Sequence, residues 1–231
     1  MMSAKVPHTL QITSFGGVGT TMLLQFLREN GVDVQEKPSI WTHAKVLKKY
    51  TTWYSASIFR PWVAHPYWDP WKHLAVPPHD CDVEPSFRAV YLFDDPRNAV
   101  LSIFRRGYQN WHIRNMNGNL DEWKERYTID DFLSNRIDSF CMGEQFEAWV
   151  HAKRSYPILF IKFDEVWDHL KTLFSFVGLT QSKVDCFPEK RSRISDWRTE
   201  HSNRQEAIEE MYGTLACKVN DLESPFVKQA Q

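Results

Sequence analysis

The chain has 231 residues, enough for one sizeable hydrophobic core, and since no Gly-, Ser- or Pro-rich linker divides it, one domain over residues 1–231 is expected. It carries 28 Lys and Arg residues against 29 Asp and Glu residues, so bulk charge excludes non-specific nucleic-acid binding. It has no apolar leader, no run of about 20 apolar residues that would span a membrane, and no close cysteine pairs, so we expect a cytoplasmic protein that needs neither disulfides nor zinc.

The first predicted elements are a strand, a glycine-rich turn and a helix. A short apolar run from Leu10 enters a turn over residues 16–19 that contains three glycines, and apolar residues then recur at helical spacing over 22–27. Glycines let successive N–H groups point into one hollow, and the first helical turn adds unpaired donors. This P-loop-like arrangement suits a phosphate, with the hydroxyls of Thr20 and Thr21 as further donors. An ordinary buried turn is the alternative.

The middle of the chain alternates between irregular and regular segments. Residues 38–50 have a loosely helical pattern. Residues 53–85 are rich in aromatic residues and prolines, which excludes long helices and central strands. We interpret this long segment as a lid or wall of a binding site or, equally, as a loop fixed to the core by its aromatic rings. Residues 87–93 predict a second strand, and Pro96 marks the start of the next helix.

The rest of the chain continues the alternation of helices and strands. In order, the pattern predicts one or two amphipathic helices, a buried strand, a helix, a basic loop, a final helix and a frayed tail, over residues 129–152, 157–163, 164–178, 188–198, 205–222 and 223–231. Strands joined through helices predict an α/β fold, with a central parallel sheet covered by helices in a three-layer arrangement.

Five motifs in this order resemble the sulfotransferases that use 3'-phosphoadenosine 5'-phosphosulfate (PAPS). They are the glycine and threonine loop, D-P-R-N-A-V-L-S, a G-x-x-x-x-x-W before P-I-L-F-I-K-F-D-E, a helix ending F-V-G-L, and K-R-S-R-I-S-D-W. The resemblance covers about residues 10–201. It implies a sulfotransferase-type fold and transfer of a sulfuryl group from PAPS to a hydroxyl of a small molecule, with release of 3'-phosphoadenosine 5'-phosphate (PAP).

The resemblance implies two groups of donor-binding residues. The first loop would hold the 5'-phosphosulfate, and the residue after the threonines lies where many members stack a Trp on adenine; these positions are Gly17, Val18, Gly19, Thr20, Thr21 and Met22. Paired cations suit a doubly charged phosphate. The 3'-phosphate site is expected at Arg97, Ser102, Lys190, Arg191, Ser192 and Arg193, with Arg105 and Arg106 as alternatives to Arg97.

The resemblance also implies a catalytic group. The segment Trp71-Lys72-His73-Leu74 resembles the family's K-x-H-L-P, which makes His73 the expected general base for the acceptor hydroxyl. Lys72 and Ser102 complete this group. In residues 53–85, which we expect to be the acceptor loop, aromatic faces and a carboxylate favour a polar or cationic natural product. The expected acceptor-binding residues are His43, His65, Trp62, Tyr67, Trp68 and Asp69, and the two histidines are also the alternatives to His73.

Two departures from the family pattern bear on activity. Gly17 stands where the family has the Lys that stabilises the leaving phosphate, and losing one such donor typically costs about 3 to 4 kcal/mol of barrier. Asp94 stands where the family has an Arg for the 3'-phosphate. A catalytically silent nucleotide-binding module and a degenerate P-loop kinase are therefore the alternatives. No metal, nucleic acid or membrane partner is expected, and no segment indicates an oligomeric state.

Overall fold

A four-stranded sheet lies at the centre of the described part of the chain. The computed structural model describes residues 10–34, 73–80, 83–110, 112–113 and 128–229. The predicted helix over 38–50 lies outside these ranges. So do the catalytic candidate and the acceptor-binding candidates Lys72, His43, His65, Trp62, Tyr67, Trp68 and Asp69.

The described elements follow the predicted alternation of strands and helices. The strands are β1 (Leu10–Ser14), β2 (Arg88–Phe93), β3 (Ile158–Lys162) and β4 (Phe226–Lys228). The α-helices are α1 (Thr20–Glu29), α2 (Pro96–Arg105), α3 (Ile129–Ser134), α4 (Met142–His151), α5 (Leu170–Val177) and α6 (Ser202–Asp221). Short 3₁₀ helices cover Phe163–Glu165, Gln181–Cys186 and Trp197–Thr199.

The sheet is mostly parallel. Its strand order is β1-β2-β3-β4, with β1, β2 and β3 parallel and β4 antiparallel to β3. Every residue of β1 is buried, as is nearly every residue of β2 and β3. Because successive side chains point to opposite faces, this burial means that both faces are covered. The prediction of an α/β fold around a parallel sheet is confirmed, while the sulfotransferase-type assignment stays a prediction.

Two predictions from the sequence are wrong, one on where a helix starts and one on the C-terminal tail. The chain from Asp164 does not enter an α-helix directly, because i to i+3 hydrogen bonds, such as that from the Val166 N–H to the Phe163 carbonyl, form a tight 3₁₀ turn before α5. The predicted fraying of the C-terminal tail is contradicted by β4, which pairs along the edge of β3. The unpaired backbone groups of that edge give the tail hydrogen-bond partners, and this outweighs the tendency of termini to fray.

Polar contacts join helix α6 to the neighbouring helices α2 and α3 and to Asp138. Arg97 at the start of α2 donates to Glu209 of α6 at 2.7 Å, and the Tyr212 hydroxyl donates to Asp138 at 2.8 Å. Arg204 forms an ion pair with Asp130 of α3. The contact of Arg97 holds α2, whose last turn reaches the candidate site, against α6. Within the described residues, no helix combines the length and the apolar character that crossing a bilayer requires.

Candidate functional site

A cleft of about 510 Å³ lies at the carboxyl edge of the three parallel strands. Its walls come from the loop after β1, the last turn of α2, the 3₁₀ turn after β3 and the basic loop. Loops and helix N-termini converge at this edge of a parallel sheet, which is where α/β proteins bind ligands. The predicted donor-binding residues that line the cleft are Gly17, Gly19, Met22, Ser102, Arg191, Ser192 and Arg193.

The glycine loop presents a row of backbone donors at the start of α1. In the described part of the chain, the N–H groups of residues 17–21 have no hydrogen-bond acceptor. Gly19, the N-cap of α1, has φ 74° and makes no side-chain cap, and the first turn contains no acidic residue. Unsatisfied N–H groups and the helix dipole together attract an oxygen anion.

Close packing explains why the loop requires its glycines. Gly16, Gly17 and Gly19 all have φ between 70° and 97°, which other residues rarely adopt. A Cβ at Gly17 would lie 2.5 Å from the Ala99 carbonyl oxygen, and one at Gly19 would lie 2.0 Å from the Phe163 ring. The loop is therefore pressed against α2 on one side and against the turn after β3 on the other.

The predicted loop side chains other than glycine point in different directions. The Thr20 Oγ1 atom lies 2.6 Å from Ser14 Oγ, so this buried hydroxyl links the loop to the end of β1. Ser14 Oγ also accepts from the Gly16 N–H at 3.2 Å. Val18 packs into the core, and the Thr21 side chain is exposed. Thr20 thus helps to shape the loop, and Thr21 is exposed but does not line the cleft.

His73 lies against the start of the glycine loop. Its Nδ1 atom is 2.9 Å from the Ser14 carbonyl oxygen. Because a carbonyl only accepts, Nδ1 carries the proton and the lone pair of the neutral ring is on Nε2. This is the tautomer in which Nε2 can accept a proton, but His73 is not among the residues that line the cleft.

Sequence reasoning missed a second histidine at this position. The ring of buried His112 lies 4.6 Å from that of His73, edge to face, and its Nε2 donates to the Phe15 carbonyl at 2.7 Å. A Cβ at Gly16 would lie 2.5 Å from His112, so this ring lies directly under the loop. Burial, then the neighbouring His73, lowers the pKa of His112 well below its usual value, so His112 supports the loop as a neutral ring.

Side chains from α4 and from the turn that follows it fix the segment that carries His73. Gln145 donates to the Ser14 carbonyl at 3.2 Å and to the Leu74 carbonyl at 2.7 Å, and Trp149 Nε1 donates to Leu74 at 2.9 Å. Arg154 donates to the carbonyls of Pro77 and Pro78. Trp149 belongs to the G-x-x-x-x-x-W motif, and Gln145 lies one helical turn before it. This motif is therefore the feature of the sequence from which these contacts could have been predicted.

The arginines of α2 that line the cleft are not the one that the sequence analysis favoured, which was Arg97. Arg97 donates to both oxygens of Asp95, pairs with Glu209, and lies 4.4 Å over the Trp197 ring, so it does not line the cleft. Arg105 and Arg106 at the other end of α2 line it instead. Partial burial, then Arg105, lowers the pKa of Arg106, and an anion between these two guanidiniums would relieve their repulsion.

The basic loop closes the far side of the cleft. Arg191 and Ser192 are exposed and line the cleft, whereas Lys190 donates to the Asp164 carbonyl and lies 5.7 Å from the Trp167 ring. Arg105 Nε donates to Ser195 Oγ at 3.0 Å. The predicted role of Lys190 is thus the least supported in this loop, because Lys190 does not line the cleft and its ammonium group donates to a backbone carbonyl.

Arg193 pairs with two carboxylates at the carboxyl ends of neighbouring strands. Its Nη2 atom donates to Asp94, which follows β2, and to Asp164, which follows β3. Burial raises the pKa of Asp94 to about 6, and Arg193 opposes this rise. Asp94 itself has the wrong charge for a phosphate ligand, but it pairs with Arg193, whose cation lines the cleft.

The pKa of Asp94 gives a stability prediction. The pKa of this buried carboxyl is about 6 against an ordinary value of 3.8, so it stabilises the fold below pH 4 and loses that contribution as pH rises through 6. We expect the unfolding free energy of Asp94→Asn, relative to wild type, to rise by about 2 kcal/mol from pH 4 to pH 8. Urea unfolding at both pH values measures it. The exposed Asp168→Asn is the control, and a pH-independent difference for Asp94→Asn would refute the shifted pKa.

A second cleft of about 650 Å³ lies on the other side of Arg105. Leu101, Phe104 and Ile129 give it apolar walls. Its other arginine, Arg204, pairs with Asp130 and Glu200, the second of which also lines this cleft. The charge of Arg204 is therefore neutralised, and the first cleft is the better anion site.

The first cleft suits an oxygen anion where its arginines, hydroxyls and backbone N–H groups meet, although the carboxylates of Glu29, Asp164 and Glu189 also line it. Within the described ranges, no group of three or more His, Cys, Asp or Glu side chains is arranged to hold a metal ion. Comparisons with protein-family models, with curated proteins and with solved structures found no match to the chain. The function is therefore argued from the geometry of the cleft.

Proposed function

We propose that the chain is a sulfotransferase that moves a sulfuryl group from PAPS to a hydroxyl of a small molecule. One observation carries the proposal: the glycine loop, Ser102 and the segment 191–193 surround a single cleft although they lie far apart in sequence. These are the segments in which the resemblance to the family was found. Loops commonly converge at this edge of a parallel sheet, so the support lies in the kind of residues that meet there, an N–H-rich turn and the arginines of the basic loop.

The two phosphate groups of the donor suit the two ends of the cleft. The N–H groups of residues 17–21 would hold the 5'-phosphosulfate. Ser102, Arg191 and Ser192 would hold the 3'-phosphate, with forked guanidinium donors matched to phosphate oxygens. Met22 and Trp167 also line the cleft, and their apolar faces provide a surface on which the adenine ring of the donor can pack.

His73 provides the base that the transfer needs. The acceptor oxygen attacks sulfur, its bond to sulfur forms as the bond between sulfur and the bridging phosphate oxygen breaks, and PAP leaves with that electron pair. The acceptor proton moves to Nε2 of His73, whose Nδ1–H stays on the Ser14 carbonyl. A neutral imidazole suits this step near pH 7.

The charge that develops on the leaving phosphate requires cations. No Lys side chain lines the described part of the cleft, and Arg105 and Arg106 are the arginines that α2 contributes to it. In this proposal Arg105, Arg106 and Lys72 together supply the positive charge that the family obtains from a Lys at the position of Gly17. Fixed cations act here because they need no reorganisation as the charge moves.

A nucleotide-binding module without transfer activity is the second candidate. The space beside Gly17 favours it, because a side chain there would meet the Ala99 backbone and no Lys can take that place without rearrangement. Calorimetry with PAP and with ATP-Mg tests nucleotide binding, and transfer of radiolabelled sulfuryl groups to a panel of hydroxylated amines and phenols tests catalysis. Binding of PAP without transfer to any acceptor would favour the module.

Arg191 provides a selective test of the 3'-phosphate site. Arg191→Ala should weaken PAP by about 1.5 to 3 kcal/mol, the usual value of a hydrogen bond to a charged group. AMP lacks the 3'-phosphate, so its affinity should hardly change. Calorimetry measures both, with Arg198→Ala as the control because Arg198 is exposed and does not line the cleft. Equal losses for both nucleotides would remove Arg191 from the 3'-phosphate site.

A further inference from the structure

Asp94 lies behind Arg193, away from the cleft. The Asp94 side chain is 9% exposed and does not line the cleft, whereas Arg193 does. Both Asp94 oxygens are engaged, because Oδ1 accepts from the Asp95 N–H at 2.7 Å and Oδ2 accepts from Arg193. The carboxylate is therefore fixed to the backbone at the start of α2, and its guanidinium partner faces the ligand space.

Arg193 keeps donors for a ligand while it is held. Both of its ion pairs use Nη2, which leaves Nη1 for a ligand, whereas its Nε is buried and shielded from the cleft. The second partner, Asp164, is 51% exposed and lies at 3.2 Å, so it restrains the guanidinium less than Asp94 does. A phosphate oxygen would satisfy donors that the protein leaves unused.

We infer that Asp94 is a positioning residue that holds Arg193 in the cleft as a ligand for the 3'-phosphate. The inference rests on the proposed function and deepens it. It explains how an acidic residue occurs where the family pattern has an arginine: the cation comes from the basic loop, and the acid anchors it. Asp94 never touches the nucleotide and acts through Arg193 alone.

Burial of the Asp94 charge costs stability, and the ion pair offsets only part of that cost. The charged groups that face Asp94 are Arg193 from the basic loop, Asp164 after β3 and Asp95 at the start of α2. Two of the three repel it, so its ionised form is not favoured by the fold. A residue that only stabilised the fold would be better neutral, and this cost is expected where a charge serves binding.

The experiment compares PAP and AMP by calorimetry at pH 7.5 in the full chain. Asp94→Asn puts an amide N–H beside the guanidinium, so Arg193 should leave its position and PAP affinity should fall about 10-fold, with AMP changed less than about 3-fold. Arg193→Ala should lose at least as much for PAP. The double variant should be no weaker than Arg193→Ala, because both changes remove one interaction. Asp168→Asn removes an exposed charge from the chain after β3 and serves as the control.

The pH dependence separates positioning from a structural role. As the pH is lowered through 6, Asp94 becomes protonated, and the ratio of PAP affinity to AMP affinity should decrease in wild type. The decrease caused by Asp94 should be absent from Asp94→Asn. Since the 3'-phosphate titrates equally in both proteins, the comparison isolates Asp94. Asp94→Asn should also gain stability relative to wild type from pH 4 to pH 8 while it binds PAP less tightly, whereas a purely structural residue would lower both.

The outcomes distinguish the inference from the proposed function. If wild type binds PAP and Asp94→Asn binds it equally or more tightly, Asp94 does not position Arg193. Losses that add in the double variant would also overturn the inference. If wild type binds no PAP, the proposed function fails and the inference fails with it.

Discussion

Replacing His73 by Asn is expected to reduce sulfuryl transfer by about 10² to 10⁴-fold, the usual contribution of a general base. The Asn amide N–H can still donate to the Ser14 carbonyl, as His73 Nδ1 does at 2.9 Å, so the glycine loop should keep its shape. The variant lacks the Nε2 lone pair that takes the acceptor proton. Nucleotide affinity should therefore stay within about 3-fold of wild type. Transfer of radiolabelled sulfuryl groups and calorimetry with PAP measure the two quantities.

Two further variants make this result specific. His73→Ala removes both the base and the contact with Ser14, so it should lose transfer and also weaken PAP. His151 is 75% exposed on α4 and lies outside the cleft, so His151→Asn should keep full activity. Full transfer by His73→Asn would assign the base to His43 or His65.

The strands and most helices were predictable because their signals are local. Apolar runs gave β1, β2 and β3, Pro96 gave the start of α2, and Gly178, with φ 80°, gave the end of α5. Each signal lies within a few residues of the element that it defines. The tail was mispredicted because β4 depends on the unpaired edge of β3, and no local pattern reports a free edge.

The site was predictable only where a motif carried it. The resemblance selected Ser102 and the basic loop, and both line the cleft. The pairing of Asp94 with Arg193 joins residues separated by 99 positions, so no periodicity could reveal it. His112 likewise contacts the loop from 97 positions away through the Phe15 carbonyl. Contacts across such distances follow from the fold, and the departures at positions 17 and 94 from the pattern that the chain resembles did not reveal them.

Gly17→Lys, which restores the family residue, is expected to damage the protein instead of improving it. Position 17 has φ 70°, a conformation that costs other residues about 1 to 2 kcal/mol. A Cβ there would lie 2.5 Å from the Ala99 carbonyl oxygen, and overpacking of this kind costs about 1 to 3 kcal/mol more. The unfolding free energy should therefore fall by about 2 to 5 kcal/mol, measured by urea unfolding, and PAP affinity should fall with it.

Gly17→Ala and Gly31→Ala separate the two causes of that loss. Gly31 has φ 77°, but a Cβ added there would meet no atom within 4 Å, so Gly31→Ala should cost only the backbone strain of about 1 to 2 kcal/mol. Gly17→Ala adds the contact with Ala99 and should lose more than Gly31→Ala. Because the Ala99 oxygen belongs to the backbone of α2, it cannot move aside as a flexible side chain would. If Gly17→Lys were as stable as wild type and transferred sulfuryl groups faster, the predicted loss would be contradicted. Such a result would mean that α2 shifts to accommodate a lysine side chain in the loop.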